Sequence, residues 1–142
     1  MEKLPLPPPL SIRVYYEDTD AGGVVYYANY LKYLERCRTE WLRAIGHDQS
    51  ELLKEHNLAF MVRKVNADYL QPARLDDVLS IDLQVEKLGG AQIIFLQNIR
   101  CTKNNMTRHL LTAHIQIVCV NTVTMKPMPI PGWMKDKLRS LI

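Results

Sequence analysis

A long stretch of alternating residues, with no room in it for a helix, limits the fold of this chain more than any other feature. Between residues 58 and 122, apolar and polar residues mostly alternate with a period of two, in segments separated by short turns. Parallel neighbouring strands need a crossover connection of a dozen or more residues, usually a helix, and none fits between these segments. The sequence therefore excludes a doubly wound parallel sheet and predicts an antiparallel one.

The strands of this sheet are predicted from apolar residues at every second position. A first strand begins at Leu10. Tight turns are expected at Gly89-Gly90 and at residues 103–105, because glycine and asparagine favour hairpin connections. The later strands are predicted at residues 61–69, 79–85, 93–101 and 111–119.

One long helix is predicted ahead of these later strands. Apolar and aromatic residues recur every three or four positions from Tyr27 to Ile45, which is the spacing of one face of an α-helix. Gly46 follows in the position where glycine often ends a helix, and a short second helix is predicted over residues 50–55. These elements predict an α+β domain, in which an antiparallel sheet packs its apolar face on the long helix.

The domain organisation is predicted from the length and from the prolines. A chain of 142 residues is typical of one domain. Prolines at positions 5, 7, 8 and 9 indicate an extended arm. We therefore predict a proline-rich arm over residues 1–9, a single domain over 10–131 and a basic tail, open to a helical conformation, over 132–142.

Charge and cysteine content limit the partners and the compartment. Eighteen Lys and Arg against fifteen Asp and Glu leave a net charge of +3, too small to indicate nucleic-acid binding but suited to a ligand with a few phosphates. Three separated cysteines without a CxxC pair indicate free thiols in a reducing compartment. No signal peptide or membrane span is recognisable. The sequence thus predicts a cytoplasmic protein, attached to a membrane at most peripherally through its basic tail.

The candidate functional segment is the junction between the first strand and the long helix. Residues 15–30 contain three acids, two adjacent glycines and five tyrosines. A helix N-terminus presents free backbone N–H groups to an anion or a developing oxyanion, and a carboxylate just before it can act as nucleophile or general base. This combination suits acyl transfer. The simpler interpretation, that Asp18 and Asp20 only shape the turn and cap the helix, stays open at this point.

Two other interpretations of the Asp18-Thr19-Asp20 motif are less favoured. In a calcium-binding loop that begins at Asp18, Gly22 and Asn29 would stand at positions that need acidic ligands. An aspartate-nucleophile phosphatase, with Asp76-Asp77 as later metal ligands, would ordinarily use a parallel sheet. The four histidines have no metal-ligand spacing, so neither a metal nor another cofactor is expected.

The run from Val14 to Tyr26, VYYEDTDAGGVVY, closely resembles the hotdog-fold acyl-CoA thioesterases of the 4-hydroxybenzoyl-CoA thioesterase family. It is most similar to the YbgC-like branch, which is associated with the bacterial Tol-Pal system. The resemblance implies a hotdog fold, an antiparallel β-sheet wrapped around one long central helix. It covers about residues 11–131, with further matches at residues 29–30, 35–36, 62–64, 72–77 and 125–127.

The same resemblance implies roles for individual residues. Asp20 would be the catalytic carboxylate, as nucleophile or general base, and the backbone N–H of Tyr27 would polarise the thioester carbonyl. Many members of the YbgC-like branch have His at the position of Tyr27, whereas the hydroxybenzoyl-CoA enzymes have Tyr there. The substrate-binding residues implied are Gly22, Gly23, Val24, Val25, Tyr26 and Lys64.

The resemblance also implies the partners. The substrate would be an acyl-CoA, with acyl carrier protein as a second carrier of the thioester, and the protein would be a homodimer or homotetramer. Lys64, Arg74 and Lys126 are candidates for contacts with the CoA phosphates. The alternative function is that of a non-catalytic acyl-thioester-binding or scaffold protein of the cell-envelope machinery.

Overall fold

The structure, a computed structural model, describes residues 8–139. The predicted arm over residues 1–9 lies outside the described residues except for Pro8 and Pro9, and so do residues 140–142 of the predicted tail. The strands are β1 (Leu10–Arg13), β2 (Leu58–Tyr69), β3 (Val78–Ile81), β4 (Gln84–Leu88), β5 (Gln92–Lys103), β6 (Met106–Asn121) and β7 (Lys126–Pro127). The α-helices are α1 (Asn29–Ala44), α2 (Gln49–His56) and α3 (Gly132–Arg139).

The strands form one sheet in which every pair is antiparallel, as the alternating pattern predicts. The strand order is β1-β3-β5-β6-β2, with β4 paired to β5 and β7 paired to β6. The predicted strand over residues 79–85 is divided into β3 and β4, which both pair with β5. The division falls at Asp82, whose carboxylate accepts a hydrogen bond from the backbone N–H of Asn98 at 3.0 Å.

Both predicted hairpin turns are present. Between β4 and β5, the N–H of Gly89 donates to the carbonyl of Gln92 at 2.8 Å. Between β5 and β6, Asn104 and Asn105 have φ values of 53° and 60°, the left-handed conformation that both central residues of a type I′ turn require. Asparagine tolerates this conformation better than most residues, which explains why two asparagines stand there.

The sheet packs one face on α1, which confirms the predicted α+β arrangement. Residues of β5 alternate between buried and partly buried positions from Gln92 to Cys101. On the helix, Tyr33 and Leu34 are completely buried, and the Trp41 ring meets the Phe95 ring edge-on with centroids 5.6 Å apart. The helix and the inner face of the sheet therefore share one hydrophobic core.

The long helix begins two residues later than predicted. Its first residue is Asn29 rather than Tyr27, because residues 26–29 form a turn in which the Asn29 N–H donates to the Tyr26 carbonyl at 2.8 Å. Its end agrees with the prediction, since Ala44 is the last helical residue and Gly46 follows with a φ of 99°. The second helix is present and is capped by the Asp48 carboxylate, which accepts from the Ser50 N–H.

The described part of the predicted tail, Gly132–Arg139, forms the helix α3. Met134 and Leu138 on its inner face are completely buried in the core. The Lys137 ammonium group donates to the carbonyl of Ile45 at 3.1 Å, just beyond the end of α1. The Trp133 ring contacts the rings of His47 and His56, with centroids 4.9 Å and 5.0 Å away. The helix is thus attached to the core and to the α1–α2 connection.

The contact between α3 and His47 makes the stability depend on pH. Burial lowers the pKa of His47 below its ordinary 6.5, the charges of Lys137 and His56 lower it further, and Glu51 acts in the opposite direction. The unfolded chain therefore binds a proton at His47 more readily than the folded chain does. As a result, the free energy of unfolding is highest above about pH 6.5 and decreases as the pH falls toward the lower pKa of His47 in the folded state.

We therefore expect the free energy of unfolding to fall between about pH 7 and about pH 5 more steeply in the wild type than in His47→Gln. Urea unfolding at a series of pH values measures both slopes. Equal slopes would contradict the prediction.

Candidate active site

The loop between β1 and α1 makes a tight turn at its two glycines. The N–H of Gly23 donates to the Asp20 carbonyl at 3.0 Å, and the N–H of Asp20 donates to the Val24 carbonyl at 2.9 Å. Gly23 has a φ of 78°, which side chains rarely allow. A Cβ at Gly22 would lie 3.2 Å from Oδ1 of Asp20. The two glycines therefore let the chain fold closely around the Asp20 carboxylate.

The two aspartates of the motif have different surroundings. Asp18 uses both carboxylate oxygens within the protein: Oδ2 accepts from the Tyr15 N–H at 2.8 Å, and Oδ1 accepts from the Asn29 side-chain amide at 3.0 Å. Asp20 uses only Oδ1, which accepts from the Gly22 N–H at 2.8 Å. Within residues 8–139, Oδ2 of Asp20 has no partner. Asp18 joins the loop to the helix, while one carboxylate oxygen of Asp20 is left unpaired within the described residues.

The start of α1 supplies hydrogen-bond donors next to this loop. The N–H of Tyr26 donates to the Asp18 carbonyl at 3.0 Å, and the Tyr26 carbonyl accepts from Asn29. The backbone N–H groups of Tyr27 and Ala28, which follow, have no acceptor in the part of the chain that the structure describes. Unpaired N–H groups at a helix N-terminus attract negative charge. They are suited to an oxyanion.

Tyr30, in the first turn of α1, is influenced by the same carboxylate. Its hydroxyl accepts a hydrogen bond from the Ala73 N–H at 3.0 Å. Burial raises the pKa of Tyr30 above its ordinary 10.0, and the negative charges of Asp77 and Asp20 contribute to the increase. The Tyr30 hydroxyl is therefore held against Ala73 and remains protonated in the neutral range.

A groove of about 290 Å³ borders the helix start. Its aromatic residues are in contact: the Tyr69 ring lies edge-on to the rings of Tyr27 and Tyr30, with centroids 6.4 Å and 5.5 Å away. The groove therefore reaches Tyr27, the residue that carries one of the unpaired N–H groups. It is lined by Val25, Tyr27, Tyr30, Tyr69, Leu70, Gln71 and Pro72.

The structure brings most of the expected binding residues together, but not all of them. Residues 22–27 lie on the loop or at the helix start, and Val24 forms a β-bridge with Arg74, which places Arg74 beside the loop. Lys64 is exposed in β2, about 17 Å along the strand from Tyr69 at the groove. Lys126 lies on β7, which pairs with the last residues of β6. Lys64 and Lys126 are therefore not part of the groove lining.

Sequence reasoning missed a role for Tyr69, which it treated only as a strand residue. Its hydroxyl donates to the Tyr27 carbonyl at 3.2 Å. The two residues are 42 positions apart, and their contact depends on how the end of β2 meets the start of α1. No local signal in the sequence indicates such a contact.

Comparisons with known proteins identify the family and support the fold. The family model of the thioesterase-like superfamily, 4HBT_2, matches residues 14–138. The acyl-CoA thioesterase YbgC of Haemophilus influenzae is 45% identical over 130 residues, which cover 92% of this chain and 93% of that protein. A crystal structure of a probable thioesterase from Bartonella henselae is 34% identical, with a TM-score of 0.80 over 87% of this chain and 98% of that one.

The fold is shared with more distant structures. The crystal structure of a 4-hydroxybenzoyl-CoA thioesterase in complex with 4-hydroxybenzoyl-CoA has a TM-score of 0.86 at 16% identity, covering 94% of this chain and 97% of that one. This similarity confirms the hotdog fold that the sequence resemblance implied. Because the family model matches residues 14–138 and the Haemophilus influenzae relative is 45% identical, the chain belongs to the thioesterase-like superfamily.

Proposed function

We propose that this protein is an acyl-CoA thioesterase in which Asp20 is the catalytic carboxylate and the backbone N–H of Tyr27 binds the thioester carbonyl oxygen. The observation that carries the proposal is the pairing of an open carboxylate oxygen with unpaired N–H groups at the same loop–helix junction. The YbgC relative, which is named an acyl-CoA thioesterase, supports the choice of substrate.

The Tyr27 N–H stabilises the negative charge that develops on the carbonyl oxygen when the thioester is attacked. One such donor contributes about 2.7–4 kcal/mol to transition-state stabilisation. The helix N-terminus adds about 0.3–1 kcal/mol for a nearby negative charge. The backbone donor is therefore the larger of the two contributions.

Asp20 can act in two ways that give the same products. As a nucleophile, its oxygen bonds to the carbonyl carbon, the carbon–sulfur bond breaks, and CoA leaves as a thiolate that takes up a proton. Water then hydrolyses the mixed anhydride and restores the carboxylate. As a general base, Asp20 accepts a proton from the water that attacks the carbonyl carbon. The carbon–sulfur bond then breaks, and the CoA thiolate takes up this proton, which restores the carboxylate. Both routes convert thioester and water to carboxylic acid and thiol.

The residues around Asp20 hold the substrate. The loop residues Gly22 to Tyr26 border the thioester and its pantetheine arm, with the glycines allowing close approach. Arg74, which pairs with Val24 in a β-bridge, is our candidate for a contact with a phosphate of CoA. The phosphates of CoA are at the far end of the pantetheine arm from the thioester. Lys64 is not part of the groove lining, so it binds these phosphates where that end of CoA extends beyond the groove. Acyl carrier protein offers the same thioester on the same kind of arm, so it is included as a second substrate.

A panel of short, long and aromatic acyl-CoA substrates, together with an acyl carrier protein thioester, tests the activity by release of free thiol. We expect the wild type to hydrolyse at least one acyl-CoA well above the uncatalysed rate. A wild type that binds acyl-CoA without hydrolysing any of the panel would instead support the non-catalytic binding or scaffold function.

We also propose that the protein is a homodimer formed through β2. Within the described residues, this strand of 12 residues pairs on one side only, with β6. A long edge strand with exposed apolar residues tends to pair with another chain. A second copy of β2 would continue the sheet across the dimer. The exposed apolar residues of β2 are Met61, Val62, Val65 and Tyr69.

If two copies pair through β2, a charged side chain on this edge should weaken the dimer. We expect Val65→Asp to shift the protein toward smaller species in sedimentation velocity experiments. Val123→Asp, which places the same charge on an exposed residue between β6 and β7, is the matched control and should not shift it. If the wild type is a tetramer and Val65→Asp splits it into smaller species, that result would also support pairing through β2. A monomeric wild type would contradict it.

The compartment is proposed from the cysteines. Cys37, Cys101 and Cys119 are all buried and unpaired, which suits a reducing cytoplasm. Among residues 8–139, no helix has the length and apolar character needed to cross a membrane.

A further inference from the structure

The Tyr27 carbonyl is held by a side chain instead of by its own helix. In a regular α-helix, this carbonyl would accept from the N–H of Leu31 four residues later. Here the Leu31 N–H donates to the Ala28 carbonyl at 3.2 Å, and the Tyr27 carbonyl accepts from the Tyr69 hydroxyl at 3.2 Å. This exchange coincides with the later start of α1, at Asn29.

The exchange also sets the direction of the free N–H groups. The carbonyl of one residue and the N–H of the next belong to the same planar peptide and point in opposite directions. The Asn29 N–H holds the Tyr26 carbonyl and so orients the Tyr27 N–H. The Tyr69 hydroxyl holds the Tyr27 carbonyl and so orients the Ala28 N–H. Two successive donors are thus fixed by hydrogen bonds on the opposite side of their peptides.

We propose that Tyr69 is a positioning residue for the oxyanion site, because its hydroxyl holds the Tyr27–Ala28 peptide out of the helix and thereby fixes the direction of the Ala28 N–H, next to the Tyr27 N–H that the Asn29 contact orients. This inference rests on the proposed thioesterase function. It adds a residue from the end of β2 to a site otherwise built from the loop and α1. It also assigns the Ala28 N–H as a second donor.

Two further observations fit this role. The Tyr69 ring is held edge-on by the rings of Tyr27 and Tyr30, so the hydroxyl has a defined direction. Burial, followed by the neighbouring tyrosines, raises the pKa of Tyr69 above its ordinary 10.0. The hydroxyl therefore keeps its proton and remains a donor throughout the neutral range.

The test is Tyr69→Phe, which retains the ring contacts and removes only the hydroxyl. We expect kcat to fall by about 10- to 100-fold, less than the 10²- to 10³-fold that loss of an oxyanion donor costs. KM and the urea midpoint should stay close to wild type, since neither substrate affinity nor the core depends on this hydroxyl. Thr102→Val, which removes an exposed hydroxyl that contacts the Thr107 hydroxyl at 2.8 Å between β5 and β6, is the control and should leave kcat unchanged.

A second readout does not depend on activity. In amide NMR spectra, Tyr69→Phe should move the signals of Tyr27 and Ala28, while Thr102→Val should not. Unchanged kcat or unmoved Ala28 signals in Tyr69→Phe would overturn the inference. Failure of the proposed function is distinguishable, because then the wild type itself hydrolyses no acyl-CoA. A loss of kcat accompanied by a lower urea midpoint would indicate a structural role and would also overturn it.

Discussion

Asp20→Asn is expected to lower kcat for acyl-CoA hydrolysis by at least about 10²-fold, because an amide is neither a nucleophile nor a base at this position. The asparagine oxygen can still accept the Gly22 N–H, so the turn should persist. KM and the urea midpoint should therefore remain close to wild type. Steady-state kinetics on the best acyl-CoA substrate measure the effect.

The matched control for Asp20→Asn is Asp136→Asn. Asp136 is exposed in α3, and its ion pair with Arg139 is exposed and 3.8 Å long, so losing its charge should change neither kcat nor stability measurably. Asp20→Asn with wild-type kcat would refute the assignment of Asp20 while leaving the fold and the family unaffected.

Met134→Ala is expected to lower the free energy of unfolding by about 2–5 kcal/mol. Met134 is completely buried in α3 and lines a cavity of about 120 Å³ between α1, the sheet and α3. Truncating it enlarges a space that the surrounding side chains already fail to fill, so little relaxation can offset the loss. Urea unfolding monitored by circular dichroism measures the change.

Met106→Ala is the matched control for Met134→Ala. It removes the same atoms from a methionine that is 71% exposed at the start of β6, and we expect a change within about 0.5 kcal/mol. Equal effects of the two substitutions would show that α3 does not contribute to the core in solution.

The arrangement of the sheet and α1 could be predicted because it depends on local periodicity. Alternating residues predicted the antiparallel strands, and the spacing from Tyr27 to Ile45 predicted the helix to within two residues at its start. The asparagines at 104 and 105 and the glycine at 46 marked turns and ends, because their backbone conformations favour those residue types.

What could not be predicted depends on contacts between distant parts of the chain. The Tyr27 carbonyl is held by the Tyr69 hydroxyl, and no property of residues 26–29 alone reveals this contact. The different surroundings of Asp18 and Asp20 depend on how the loop folds against Asn29 and Gly22. The resemblance implied Asp20 as the catalytic carboxylate, and the structure adds the contacts that distinguish Asp20 from Asp18.

The rate of thiol release in a single turnover, with enzyme in excess over acyl-CoA, tests the central claim most directly because it isolates the chemical step from product release. The wild type and Asp20→Asn should both bind the substrate, and thiol release should slow by at least about 10²-fold in the variant. Thiol release at the same rate in both proteins would contradict the claim that Asp20 performs the reaction.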